Sequence, residues 1–159
     1  MTFMIRVRTA SHYASGISAT GFWAGMTVGR AGLGFVTEHF GERRCVITYL
    51  LAALALELIF WLVPQFVVSA VAVAFLGFFL GPLFPAGIVM NTKLLPVHLH
   101  VSAIGFATAF GGTGGAVFPF IVGAIAQAKS VEVLQPMIMA LLVILLLLWL
   151  SLPRIKKRE

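Results

Sequence analysis

Five long apolar stretches occupy most of this 159-residue chain, at 17–37, 45–63, 66–90, 101–127 and 132–152. A helix needs about 20 mostly apolar residues to cross the roughly 30 Å of hydrocarbon in a bilayer, and each stretch is about that long. Runs such as "MALLVILLLLWLSL" are apolar on every side, whereas the strands of a membrane barrel alternate between a lipid face and a lumen face. We therefore predict an all-α fold, a polytopic membrane helix bundle with five transmembrane helices.

The composition narrows the function classes. Apolar residues make up 60% of the chain and charged residues 10%, and the chain contains five Glu but no Asp. The net charge of +6 comes from Arg and Lys between the apolar runs, so the expected partner is the lipid bilayer and not a nucleic acid. Cys45 is the sole cysteine, which excludes an internal disulfide and a multi-cysteine metal site. No set of residues suggests catalysis, so we expect no enzyme, no metal and no cofactor.

The basic residues predict how the chain is oriented in the membrane. Lys and Arg in short loops are retained on the cytoplasmic side. Three segments that alternating spans place on one side hold seven of them: Arg43, Arg44, Lys93, Arg154, Lys156, Lys157 and Arg158. The other side holds Arg6, Arg8 and Lys129. We predict an integral, multi-pass membrane protein with a cytoplasmic C-terminus.

A charged turn after the first stretch carries a family resemblance. The run "GFVTEHFGERR" resembles the G-x-x-x-D-[RK]-x-G-x-[RK]-[RK] loop of the major facilitator superfamily, and "GPLFPAG" and "GFATAFGGTGGAVFPFIVGAIAQ" look like helices ten and eleven of fungal members. The run has Glu38 where the family has Asp, and His39 where it has a fixed cation. The resemblance implies a gating loop formed by Gly34, Glu38, His39, Gly41, Arg43 and Arg44.

The resemblance also implies a place in a larger fold. The five spans correspond to helices eight to twelve, with residues 1–15 as the remnant of helix seven and its loop and residues 16–159 as the C-terminal transmembrane bundle. In this superfamily the substrate site lies between two six-helix halves, so a missing N-terminal half is the expected partner. The implied function is part of a secondary active transporter that moves a small solute, such as a sugar, by alternating access. The alternative is a non-transporting, truncated membrane protein that acts as an interaction partner or is an inactive fragment.

The first span has two distinct faces. At about 100° per residue, a polar stripe lies opposite the glycines Gly21, Gly25, Gly29 and Gly32. Glycines at this spacing let another helix approach closely, so we expect that face to pack and the polar stripe to face a cavity or the bundle interior. The substrate-path candidates are Thr20, Trp23, Thr27 and Arg30 from this stripe, which continues to Gly34 and Thr37, together with Asn91 at the end of the third span.

Arg30 is the most informative of these candidates. It lies seven residues before Thr37, roughly 10 Å inside the span, where a charge is costly unless it is paired or hydrated. One interpretation is that it contacts an anionic or hydroxyl-rich solute or forms a gating pair. The other is that it extends to the interface or pairs permanently with backbone carbonyls or a neighbouring helix.

Three further features of the spans have two interpretations each. Pro82 and Pro85 predict a helix break, which suits a gating or solute-lining helix or a static kink. Glu57 could couple protons, but it lies roughly 9 Å from the end of its span, and we expect it to reach the interface or pack against a partner helix. "GGTGG" lacks the strand and the Lys-Ser/Thr pair of a nucleotide loop, and the small residues around it predict a packing seam formed by Gly105, Ala109, Gly112 and Ala116.

Overall fold

The computed structural model describes residues 11–128 and 133–152, and these residues are almost entirely helical. A 3₁₀ turn, Val97–Leu99, precedes the fifth helix. The described residues contain no strand, which confirms the predicted all-α class. The helices are α1 (His12–Phe40), α2 (Glu42–Leu62), α3 (Phe66–Leu80), α4 (Leu83–Leu94), α5 (His100–Ala128) and α6 (Leu134–Ser151).

Four of the predicted spans are long and apolar enough to cross a membrane: Glu42–Leu62, Phe66–Leu94, Val97–Ile125 and Leu134–Ser151. The remaining one, α1, has 29 residues but is not apolar enough to count among them, because serine, threonine and glycine occupy many of its positions. It begins before the predicted residue 17, since the Ser11 hydroxyl accepts a hydrogen bond from the Ala14 N–H and caps the helix. Residues 12–15 are therefore helical, while residues 1–10, on which the predicted helix-seven remnant depends, lie outside the described residues.

Gly41 alone separates α1 from α2. Its φ of 95° lies in the region that favours glycine, and its N–H donates to the Thr37 carbonyl at 2.9 Å. The charged turn predicted after the first span is therefore a tight one centred on Gly41. Because the connection is so short, the two helices form a hairpin whose closed end carries the charged residues of the motif.

The third span is broken between α3 and α4, as the prolines predict. Gly81 and Pro82 form the turn, because Pro82 has no N–H to donate to the preceding helix. Pro85 lies in the first turn of α4, where a helix tolerates proline. The break is therefore at Pro82, and the effect of Pro85 is to leave the Gly81 carbonyl without its usual helical donor.

The glycine face of α1 packs closely against α3. A side chain at Gly25 would overlap the carbonyl of Ala74, and one at Gly29 would overlap the carbonyl of Phe78. The contact is reciprocal, since a side chain at Gly77 would overlap a carbonyl of α1. The predicted packing face is thus confirmed for Gly25 and Gly29, but Gly32 has no neighbour within 4 Å because α3 ends beside the preceding turns.

The hydrophobic core lies around α2, which packs between α3 and α6. Residues of α2, α4 and α6 form one buried cluster: Val46, Leu50, Ala53, Ala86, Met90, Leu142 and Trp149. In contrast, none of the α5 residues whose exposure the structure describes is buried. The packing seam expected on α5 has no partner in the described chain, because nothing lies within 4 Å of a side chain placed at Gly105 or Gly112.

Candidate functional site

Arg30 joins α1 to the break in the third span. Its Nε donates to the Gly81 carbonyl at 3.3 Å, and its Nη2 lies 3.6 Å from the Met26 sulfur. Pro85 cannot donate to that carbonyl, so the guanidinium satisfies an acceptor that the proline leaves free. The rest of Arg30 is exposed and keeps N–H donors for another group. The structure therefore shows the pairing with a backbone carbonyl, and it leaves part of the cation accessible.

The other candidates on α1 lie on the face that does not pack against α3. Thr20, Trp23 and Thr27 are exposed, Trp23 to 64%. The hydroxyls of Thr20 and Thr27 donate to carbonyls of their own helix at 3.1 and 2.9 Å, as threonines in apolar surroundings commonly do. This face is open in the described chain, so the expectation that it borders a solute path stays a prediction.

Thr37, at the end of the same stripe, is buried. Its hydroxyl donates to the Leu33 carbonyl at 2.6 Å and lies 3.2 Å from the Tyr49 hydroxyl of α2. Spacing alone could not reveal this contact, since it depends on how α2 folds back at Gly41. The exposed part of the polar stripe therefore ends before Thr37, where α2 packs against α1.

Asn91 lies away from the α1 candidates, in a cleft of about 840 Å³ along α5. Asn91 and Thr113 are the polar side chains of the lining, and the rings of Phe106 and Phe110 lie 5.5 Å apart. Phenylalanines four residues apart on a glycine-rich helix are a sequence signal for such a wall. The cleft is lined by Asn91, Ala103, Phe106, Ala107, Phe110, Gly111, Thr113, Gly114, Val117 and Phe118.

Most residues of the predicted gating loop make few contacts with the bundle, but Arg43 contacts another helix. Glu38, His39 and Arg44 are exposed, and the His39 ring lies edge-on against Phe40. Gly34 has no neighbour within 4 Å of an added side chain. Arg43, in contrast, donates from Nη2 to the Leu150 carbonyl at 2.7 Å, near the end of α6.

A neighbouring ion pair completes the contacts at this end of the bundle. Glu42 Oε1 lies 2.6 Å from Lys93 Nζ, which joins the first turn of α2 to the last turn of α4. Together with Arg43, it connects the starting turn of α2 to the ends of two other helices. The sequence placed Lys93 and the arginines on one side of the membrane, but it did not indicate this pair.

Several buried polar side chains lie at the opposite end of the bundle, and three of them are on α2, α3 and α6. Glu57, Ser69 and Gln135 are each at most 3% exposed. Glu57 is thus buried and does not reach the interface. The described residues contain no group of three His, Cys, Asp or Glu side chains that could hold a metal ion.

Apolar helices with charged, mutually docked ends define an integral, multi-pass membrane protein. Over residues 1–159 the chain matches the family described as the Major Facilitator Superfamily. The chain belongs to this family.

A yeast protein is similar to nearly the whole of this chain. The chain is 33% identical over 166 residues to "Bypass of stop codon protein 6" of Saccharomyces cerevisiae (strain ATCC 204508 / S288c). The match covers 98% of this chain and 33% of the yeast protein, so the chain spans about a third of the relative's length. No solved structure matches the chain.

Proposed function

We propose that this chain forms part of a secondary active transporter that moves a small polar solute, such as a sugar, by alternating access. The contact between Arg30 and Gly81 is the observation that carries the proposal. It joins a partly accessible cation to the break between two half-helices of one predicted span. A solute that competes for the guanidinium would release the Gly81 carbonyl, and α4 could then change its angle to α3.

The proposed transporter needs a second half. We infer that the five spans act as helices eight to twelve and work with a segment that supplies helices one to seven, since sites in this class lie between two halves. Polar side chains that face lipid are costly, and the exposed Thr20, Thr27 and Arg30 would instead face a hydrated path. The small-residue face around Gly105 and Gly112 would accept a helix of that partner.

The alternative is a non-transporting membrane protein that acts as an interaction partner or is inactive. The same open faces of α1 and α5 would let it bind another membrane protein without forming a solute path. Solute uptake distinguishes the two proposals, because binding alone moves nothing across a sealed membrane.

The test measures uptake of labelled sugars and other small polar solutes into proteoliposomes. The chain is reconstituted alone and together with a segment that supplies helices one to seven. We expect uptake only from the combination, and Arg30→Ala should lower it at least tenfold at unchanged membrane abundance. Arg30→Lys should restore only part of it, since an ammonium lacks the planar fork of a guanidinium.

His98→Ala is the matched control. It should leave uptake unchanged, because His98 is exposed on the connection before α5. Absence of uptake in every combination would favour the non-transporting alternative. If Arg30→Ala lowered membrane abundance as much as it lowered uptake, the role of Arg30 would be structural.

A further inference from the structure

The helices α2 and α6 form an antiparallel pair with a defined register. Arg43 of α2 contacts the backbone of Leu150 of α6. Glu57 lies 14 residues after Arg43, and Gln135 lies 15 residues before Leu150. Because both helices rise by the same amount per residue, Glu57 and Gln135 lie at nearly the same level.

The buried faces of both helices agree with this register. On α2 the buried positions Val46, Leu50 and Ala53 continue to Glu57 at spacings of three and four. On α6 the buried positions Leu142 and Trp149 continue back to Gln135 at a spacing of seven. The apolar members of both faces belong to one cluster, so Glu57 and Gln135 extend the same interface by one more level.

Ser69 of α3 lies at this level too. The rings of Tyr49 and Phe79 lie 6.2 Å apart and set the register of α2 against α3. Because the two helices are antiparallel, the level of a residue is its distance from that pair of rings along its own helix. By this measure the levels of Ser69 and Glu57 differ by two residues, or about 3 Å along the helix axis. Phe60, Ala72 and Leu134 belong to one hydrophobic cluster, which shows that the three helices meet here.

Each of the three side chains has an oxygen without a hydrogen-bond partner. These atoms are Glu57 Oε1, Ser69 Oγ and Gln135 Oε1, on side chains that are 3%, 0% and 2% exposed. A buried polar atom without a partner is costly, and so is a carboxylate at membrane depth. Oxygen atoms of carboxylate, hydroxyl and amide groups are the ligands that hard cations prefer.

We propose that Glu57, Ser69 and Gln135 form a binding site for one small monovalent cation, with Na⁺ as the probe ion. A protonated Glu57 has one O–H to donate and would leave at least one of the other two oxygens without a partner, whereas a metal ion would contact all three. A single carboxylate balances a single positive charge, which favours a monovalent ion in this apolar setting. The site goes beyond the proposed transport function, because cation binding can be measured with no solute present.

The experiment measures equilibrium binding of radioactive ²²Na⁺ to the purified chain in detergent, together with thermal unfolding in sodium chloride and in choline chloride. We expect saturable binding of one ion per chain and a higher melting temperature in sodium, since a ligand stabilises the state that binds it. Glu57→Gln should abolish binding, and Ser69→Ala and Gln135→Leu should each weaken it at least tenfold. Glu42→Gln, which removes the other carboxylate of α2, is the control and should bind as the parent does.

Absence of saturable binding would overturn the proposal, and so would binding that persists in a folded Glu57→Gln chain. If Glu57→Gln fails to fold, the Ser69→Ala and Gln135→Leu variants decide by their affinities. Stabilisation by acid without any effect of sodium would show that Glu57 takes up a proton only, which also contradicts a cation site. None of these results depends on uptake of a solute.

Discussion

The Tyr49 hydroxyl joins the two helices of the Gly41 hairpin. It lies 3.2 Å from Thr37 Oγ1 and 3.4 Å from the Leu33 carbonyl. The Thr37 hydroxyl donates to that carbonyl, and the Tyr49 hydroxyl, which has one hydrogen to donate, bonds to the same carbonyl and to the Thr37 oxygen of α1. Because Gly41 alone connects the helices, this bond helps to fix the angle between them.

Tyr49→Phe should therefore destabilise the hairpin. Loss of a buried side-chain hydrogen bond costs about 1 kcal/mol, which lowers the melting temperature by roughly 2–4 °C for a chain of this size. Circular dichroism during heating of the purified chain in detergent measures the change. Thr48→Val is the control, because its exposed hydroxyl bonds only within α2. Equal melting temperatures for Tyr49→Phe and the parent would contradict the role of the hydroxyl.

The contact of α1 with α3 shows how two helices associate when no hydrophobic effect draws them together in lipid. Glycines let the two backbones approach until the carbonyls of one helix meet the Cα atoms of the other, and dispersion and weak Cα–H···O contacts then stabilise the pair. The approach also brings Arg30 within reach of Gly81. The glycine face thus positions the candidate cation as well as the helix.

Gly29→Ala and Gly32→Ala form a matched pair on α1. A methyl group at Gly29 would overlap the Phe78 carbonyl, while one at Gly32 meets nothing within 4 Å. We expect Gly29→Ala to lower stability by about 1–3 kcal/mol through overpacking, and Gly32→Ala to raise it by up to about 1 kcal/mol because alanine favours a helix. Thermal unfolding in detergent measures both. Similar effects of the two changes would contradict the close approach at Gly29.

Local signals made much of this architecture predictable. Apolar runs located the helices, Pro82 located the break, and Gly41 located the turn, because each depends on residues close in the chain. The Arg30 contact spans 51 positions, and the burial of Glu57 depends on where α6 lies. Such features follow from the register between helices, which hydrophobic periodicity does not specify.

Charged contacts between helices gather at one end of the bundle. Glu42 and Lys93 pair at 2.6 Å, and Arg43 bonds to the end of α6. The pair is partly exposed and contributes at most about 1 kcal/mol, so its main effect is to hold the end of α4 beside the start of α2. Movement of α4 against α2 would have to break it, which makes this end a place where a conformational change can be detected.

The orientation of this end in the membrane can be measured by labelling single cysteines. Arginines and lysines are retained on the cytoplasmic side, so the end that carries Arg43, Arg44 and Lys93 should be cytoplasmic. With Cys45 replaced by alanine, His39→Cys at this end and Gln65→Cys on the α2–α3 connection are both exposed positions. In sealed microsomes with the cytoplasmic face outward, an impermeant maleimide should label His39→Cys at once and Gln65→Cys only after detergent opens the vesicles. Labelling in the reverse order would contradict the orientation, and immediate labelling of both would indicate mixed insertion.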